Sequence, residues 1–140
     1  MQITQPQTDH EILATWEVMH QLRPHIAREG YVAIVRGMME SDGYRLAAVV
    51  DDGEVRAVAG YRYMRMLYCG KLLYVDDLVT DDRVRSRGYG KELLDWLKAA
   101  GRDEGCSELQ LISRVTREQA HRFYFREGLA IECFEFRVKL

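Results

Sequence analysis

The sequence predicts an α+β (mixed α/β) domain, a central, mostly antiparallel sheet with helices on both faces, in the order β-α-α-β-β-β-α-β-α-β. Three observations carry this. Two helical stretches with apolar residues at i, i+3/i+4 spacing precede residue 44. Apolar runs separated by short glycine turns then form a meander over 44–80. From residue 81 onward helix and strand alternate, and Gly105 and Gly128 close the two helices. A chain of 140 residues suits one domain, 1–140, with one core.

A short strand at Ile3 opens the order. Thr8 or Asp9 caps a first helix carrying Ile12, Leu13, Trp16, Met19 and Leu22 on one face, and Pro24 interrupts it. A second helix over about 27–40 carries Tyr31, Ile34, Val35, Met38 and Met39 and ends at Ser41-Asp42-Gly43. Residues 44–50 read as a strand, Asp51-Asp52-Gly53-Glu54 as a hairpin turn, and 55–67 as the next strand. Cys69-Gly70-Lys71 turns the chain into a strand over 72–80. A helix from about Gly88 to Glu104, a strand over 108–113 and a helix over 116–127 follow. The tail, 131–140, reads as a last strand, because Phe134, Phe136, Val138 and Leu140 share one face by period two.

The composition is that of an ordinary globular chain, 47% hydrophobic and 30% charged, with a net charge of −2. That charge provides no basic excess, so no nucleic acid is expected as a partner. No apolar run approaches the roughly 20 residues of a membrane span, and the first residues lack the basic and apolar regions of a secretory signal. Cys69, Cys106 and Cys133 have no metal spacing and no identifiable partner histidine. They read as reduced thiols of a cytoplasmic protein without a metal, although a nucleophilic role stays open.

The segment Val84-Arg85-Ser86-Arg87-Gly88-Tyr89-Gly90-Lys91 lies between the strand over 72–80 and the amphipathic helix that follows. Strand, basic glycine turn and helix in that order place free backbone N–H groups at a positive helix start, which suits a phosphate-bearing ligand. Gly88 and Gly90 allow a close approach of backbone to phosphate. Arg83, Arg85, Arg87 and Lys91 add positive charge. A lone copy of such a turn would be an ordinary helix start. A mononucleotide site is disfavoured, since no G-x-x-x-x-G-K-[S/T] is present.

Three segments together are more specific. Arg85-Ser86-Arg87-Gly88-Tyr89-Gly90 fits [Q/R]-x-x-G-x-[G/A]; Ala120-His121-Arg122-Phe123-Tyr124-Phe125-Arg126-Glu127-Gly128 fits A-x-x-F-Y-x-x-x-G; and Asp76-Asp77-Leu78-Val79-Thr80 supplies an acidic pair before the loop. With these motifs and this element order the chain resembles the GNAT superfamily of acyl-CoA-dependent N-acetyltransferases, and its second motif looks like that of aminoalkylphosphonate-type members. It departs in carrying Asp81-Asp82 where many members have Pro, and Thr116-Arg117-Glu118-Gln119 where many have Asn.

The resemblance implies an N-acetyltransferase moving an acetyl group from acetyl-CoA to a primary amine. Acetyl-CoA would lie in a V-shaped opening between the fourth and fifth strands. Its pyrophosphate would rest on the loop of Arg85 and Ser86, held by N–H groups of Arg87, Gly88, Tyr89, Gly90 and Lys91. Leu78, Val79 and Thr80 would pair their backbone with the pantetheine arm. An amine with a pKa of about 10 must lose a proton before attack. Asp76 or Asp77 can take it; strand alternation lets only one face the acceptor, and the L-x-V-like step after Asp77 favours Asp77. Tyr124 matches the tyrosine that assists the leaving thiolate. Core packing is the alternative for Tyr124, and a solvated strand end for the aspartates.

The lack of insertions favours a small-molecule amine over a peptide or protein amine. Glu29, Tyr31, Arg36, Tyr61 and Tyr63, with Arg28, are acceptor-side candidates by position only. His121 reads as a surface or capping residue, and His10, His20 and His25 carry no pattern. Many family members are dimers, and the apolar last strand can pair across a homodimer. A non-catalytic acyl-CoA sensor is the alternative function.

Overall fold

A capping box starts the first helix of the computed structural model, which describes residues 1–140. Thr8 Oγ1 accepts the Glu11 N–H at 3.2 Å, and the Glu11 carboxylate accepts the Thr8 N–H at 3.0 Å. The sequence predicts one helix through Leu22, but the structure has two, α1 (Asp9–Ala14) and α2 (Trp16–Leu22). Thr15 makes the break. It is fully buried, its hydroxyl donates to the Ile12 carbonyl at 2.7 Å, and the Tyr31 hydroxyl meets it at 2.7 Å. A side chain bonded back onto the preceding turn competes with the helix ladder. Pro24 stops α2, and α3 (Arg28–Asp42) runs to Gly43, whose φ of 67° closes it.

The strands β1 (Gln2–Thr4), β2 (Arg45–Asp51), β3 (Glu54–Met66), β4 (Gly70–Thr80) and β5 (Glu108–Leu111) lie side by side in chain order. The pairings β1–β2, β2–β3 and β3–β4 are antiparallel. Asp52 and Gly53, at φ 52° and 75°, make the two-residue turn between β2 and β3 that their sequence predicts.

Helices cover both faces of the sheet. On one, Ile12, Val18, Met19, Tyr31 and Val35 of α1–α3 pack against Tyr44, Leu46, Val58 and Val79. On the other lies α4 (Tyr89–Asp103), which buries Leu93, Leu94 and Leu97. Its Trp96 stands edge-on to Tyr61 at 6.0 Å, and a Cβ on its Gly101 would sit 3.6 Å from Leu73. A run of i, i+3/i+4 apolar residues on α4 and period two on β3 and β4 account for this layering.

The chain gathers into two units, Met1–Gln110 and Leu111–Leu140. The second contains α5 (Glu118–Arg126), ended by Glu127 and by Gly128 at φ 87°. The expected last strand over 131–140 does not form, and the tail carries no ladder and lies exposed. Period two makes a segment able to be a strand, but a strand exists only when a neighbour takes its hydrogen bonds.

Candidate active site

The acidic pair sits on an irregularity of the sheet. Gly60 of β3 pairs with Asp77 of β4, while Tyr61 pairs with Val75, which leaves Asp76 as an extra residue in a β-bulge. Side-chain alternation on β4 therefore slips by one residue. Val79 and Asp77 face α1–α3, Leu73 faces α4, and the slip falls between them. Alternation alone predicts that only one aspartate can face a given side. The bulge corrects this, and both carboxylates meet partners on the side of Tyr44.

Each is held. The Tyr44 hydroxyl donates to Asp77 Oδ2 at 2.8 Å, and Arg23 Nε donates to Asp77 Oδ1 at 2.7 Å. Arg23 also donates to the Asp76 carbonyl at 3.0 Å. Its place follows from Pro24, which ends α2 one residue later and leaves Arg23 as the cap. Arg62 grips Asp76 in a fork, Nε to Oδ1 at 3.1 Å and Nη2 to Oδ2 at 2.5 Å, and lies 5.8 Å from the Tyr44 ring centre. The carboxylates are only 18% and 12% exposed, for Asp76 and Asp77 respectively. Burial raises the Asp76 pKa above its ordinary value; Arg62 opposes that rise and the neighbouring Asp77 charge adds to it. Burial, with the Asp77 charge, pushes the Tyr44 pKa well up, so Tyr44 stays a donor.

Gly60 makes room for this cluster. A Cβ there would lie 1.8 Å from the Tyr44 hydroxyl oxygen and 2.6 Å from Asp77 Oδ2. A glycine inside a strand was the available sequence signal, since it marks a bulge or a close approach. Arg23, Tyr44 and Arg62 carried no local signal.

Beyond the bulge, β4 outruns its neighbour. Ser107 donates its N–H to the Lys71 carbonyl at 2.8 Å, which sets the start of β5 beside the start of β4. Four residues of β5 span roughly 13 Å, whereas Leu78 lies roughly 23 Å along β4 from Lys71. The β4 edge at Leu78, Val79 and Thr80 is therefore beyond the reach of β5, and their other edge pairs with Ala59, Val58 and Ala57.

The glycine loop follows. Asp81 is fully buried and accepts from Arg83 N–H at 3.1 Å, capping a 3₁₀ turn (Asp82–Val84). It also takes the Arg83 guanidinium at 2.8 Å and Gln21 Nε2 at 3.2 Å, while Gln21 Oε1 accepts from Asp82 N–H at 2.9 Å. This clamp ties the loop to α2. Ser86 at φ 67° and Gly88 at φ 86° then turn the chain into α4. A serine held there costs about 1 kcal/mol or more, a strain found at ligand clamps. Gly88 is the N-cap and has no side chain to satisfy the first-turn N–H groups of α4. The donors of Tyr89, Gly90 and Lys91 thus meet the positive end of the helix dipole. The Tyr89 side chain is buried and donates to Asp51 Oδ2 at 2.7 Å, anchoring the helix start. Arg85 and Arg87 are exposed, and Lys91 pairs with Asp95 one turn on.

The clamp has a testable consequence. Hydrogen bonding from Arg83 lowers the Asp81 pKa from 3.8 to about 2. A folded value below the unfolded one means stability gained above 3.8 and lost as pH falls toward 2. Asp81→Asn should loosen the loop and cost about 1–2 kcal/mol at neutral pH. Its urea midpoint should approach that of wild type as the pH falls.

In the second unit Tyr124 is 9% exposed, and burial raises its pKa against the opposing Arg117 charge, so it is a protonated phenol at neutral pH. The ring of Phe123 lies 5.6 Å away. His121 donates a ring N–H to the Arg114 carbonyl at 2.8 Å and so caps a turn. Among the acceptor-side candidates, Tyr31 and Tyr61 are core residues, 2% and 1% exposed. Arg36 is committed to Asp9 and to the Gln7 carbonyl. The three cysteines are free thiols, no group of side chains is arranged for a metal, and no helix is long and apolar enough to cross a membrane.

Comparison with known proteins agrees with this geometry. Residues 7–129 match the model of the Acetyltransferase (GNAT) family. The uncharacterized N-acetyltransferase YhdJ of Bacillus subtilis (strain 168) is 33% identical over 124 residues, 88% of this chain and 87% of that one. The aminoalkylphosphonate N-acetyltransferase of Salmonella typhimurium is 31% identical over 94 residues, 66% of this chain and 60% of that one. The structure of AAC(6')-Iy in complex with the bisubstrate analog CoA-S-monomethyl-acetylneamine superposes with a TM-score of 0.83 at 19% identity, covering 99% of this chain and 97% of that one.

Proposed function

The chain belongs to the acetyltransferase (GNAT) family and is an acyl-CoA-dependent N-acetyltransferase with acetyl-CoA as co-substrate; on that premise we propose that it transfers the acetyl group directly to the primary amine of a small molecule. The observation that carries this reading is the bulge at Asp76. It puts a carboxylate with a raised pKa just before a β4 edge that β5 does not reach. In this reading the backbone of Leu78, Val79 and Thr80 pairs with the pantetheine arm. Arg85 and Ser86 shape the loop, and the N–H groups of Arg87, Gly88, Tyr89, Gly90 and Lys91 hold the pyrophosphate.

The acceptor arrives as an ammonium and gives a proton to Asp76, directly or through water. The free amine attacks the thioester carbonyl and forms a tetrahedral intermediate. As the C–S bond breaks, the thiolate takes the Tyr124 hydroxyl proton; the nitrogen loses its second proton to solvent, and the proton held by Asp76 passes through solvent to the Tyr124 phenolate, which restores both groups. Asp77, tied to Arg23 and Tyr44, is a positioning residue that fixes the bulge. The relative named for aminoalkylphosphonates supports a small amine as acceptor. The reading places the enzyme in the cytoplasm, as a homodimer.

Thiol release from acetyl-CoA against pooled aminoalkylphosphonates, polyamines, aminoglycosides, amino acids and short peptides tests it. Release that depends on a small amine supports the reading. Release only with peptides would move the acceptor to a polypeptide. Bound acetyl-CoA without release from any pool would favour a sensor. Tyr124→Phe should lower kcat about 100-fold with the acetyl-CoA KM nearly unchanged, since the lost proton acts only as the thiolate departs.

A further inference from the structure

Each guanidinium beside the acidic pair keeps one arm free. Arg23 donates through Nε to Asp77 and through Nη2 to the Asp76 carbonyl. Arg62 donates through Nε and Nη2 to the Asp76 carboxylate. Neither Nη1 has a hydrogen-bond partner in the protein, and neither is sealed from solvent, since Arg56 Nε is the one buried side-chain nitrogen left unpaired. The guanidiniums are not the deeper members of their ion pairs. Arg23 is 39% exposed against 12% for Asp77, and Arg62 is 21% exposed against 18% for Asp76. An approaching acceptor therefore meets positive charge beside the carboxylate that takes its proton. Asp42 acts on Arg62 from farther off, with its own carboxylate engaged by the Ser41 hydroxyl.

We propose that Arg23 and Arg62 determine acceptor specificity: their free Nη1 groups receive an oxyanion of the acceptor, a phosphonate or a carboxylate, and so select an amine that carries a negative group. The inference rests on the reading of Asp76 as the proton acceptor, which fixes where the amine sits. Asp76 and Asp77 already hold the two guanidinium planes, so little side-chain freedom is lost when an oxyanion docks. The Asp76 oxygens and the free Nη1 lie on adjacent sides of one planar group, Arg62. Amine and oxyanion are therefore a short linker apart, about two or three carbons at ordinary hydrogen-bond lengths. A polycationic amine would bring a second ammonium to the same place. There it would face two guanidiniums, a juxtaposition of like charges that rejects the wrong partner.

Thiol release with four acceptors of matched chain length tests this on the wild-type protein: an aminoalkylphosphonate, an aminoalkyl carboxylate, an amino alcohol and a diamine. The anionic acceptors should exceed the amino alcohol in kcat/KM by about tenfold or more, with the diamine lowest. Their own order tells which oxyanion the site takes. On the pH plateau, Arg23→Gln and Arg62→Gln should each remove about tenfold of that preference through KM, with the amino alcohol nearly unchanged. A loss of packing alone would lower all acceptors alike and would count against the proposal. Equal kcat/KM for amino alcohol and anionic acceptors in wild type, or a preference for the diamine, would overturn it and leave the acetyltransferase reading standing. Should none of the four be acetylated, that reading is what fails, and calorimetric titration of propylphosphonate and of butyrate into acetyl-CoA-saturated protein decides the oxyanion site separately. Saturable binding of either that is lost in Arg23→Gln would support the site, and binding of neither would overturn it.

Discussion

Asp76→Asn should lower kcat for acetyl transfer by about 100- to 1,000-fold, whereas Asp77→Asn should chiefly cost stability. The side chains are chemically equal, and their surroundings separate them. Asn at 76 keeps the shape of the carboxyl and an oxygen for Arg62 but cannot take a proton. Asp77 is engaged on one oxygen by Arg23 and on the other by Tyr44. Neutralising it leaves a half-buried guanidinium without its charge partner, a cost of about 1–3 kcal/mol. Kinetics of thiol release and urea unfolding on both variants separate the effects. A larger kcat loss in Asp77→Asn than in Asp76→Asn, at equal folded fraction, would reverse the two roles.

Gly60→Ala should destabilise the protein by about 3 kcal/mol or more. The added Cβ would meet the Tyr44 Cζ at 2.4 Å and its hydroxyl oxygen at 1.8 Å. Tyr44 is 4% exposed, and its ring cannot swing aside without leaving the α1–α3 core. The Asp77 hydrogen bond would go with it. Tyr44→Phe, which removes only the hydroxyl, should cost about 1–2 kcal/mol. Adding Gly60→Ala to Tyr44→Phe should still be severe, because Cζ remains in the way. Thermal unfolding followed by circular dichroism checks the series, and a Gly60→Ala protein that melts within a few degrees of wild type would show the bulge to be soft.

Local chemistry made much of the fold legible. The Asp52-Gly53 turn, the Thr8 cap and the glycines at 43, 105 and 128 stand where their backbone preferences put them. The turn into α4 was legible for the same reason, because Gly88 takes the positive φ that a glycine tolerates. Orientation at the acidic pair was not legible. Which way Asp76 points depends on the register of β3 against β4, and the alternation rule assumes an unbroken ladder. Gly60 held the only clue. The partners of the pair come from afar: Arg23 reaches Asp77 across 54 positions. Asp81 read as a minor departure in a polar loop, yet Gln21, 60 positions earlier, helps bury it. The tail failed for the opposite reason, since its pattern was right and its neighbour was missing.

The pH dependence of kcat in wild type and Arg62→Gln tests the central claim, that the bulge carboxylate takes the proton, most directly. The proton acceptor must be ionised, so kcat rises with pH through the Asp76 pKa. Arg62 holds that pKa down against burial. Removing its charge should move the acid limb to higher pH and leave the plateau rate close to that of wild type, and Asp76→Asn should abolish the limb. An acid limb at the same pH in Arg62→Gln, or one that persists in Asp76→Asn, would contradict the account.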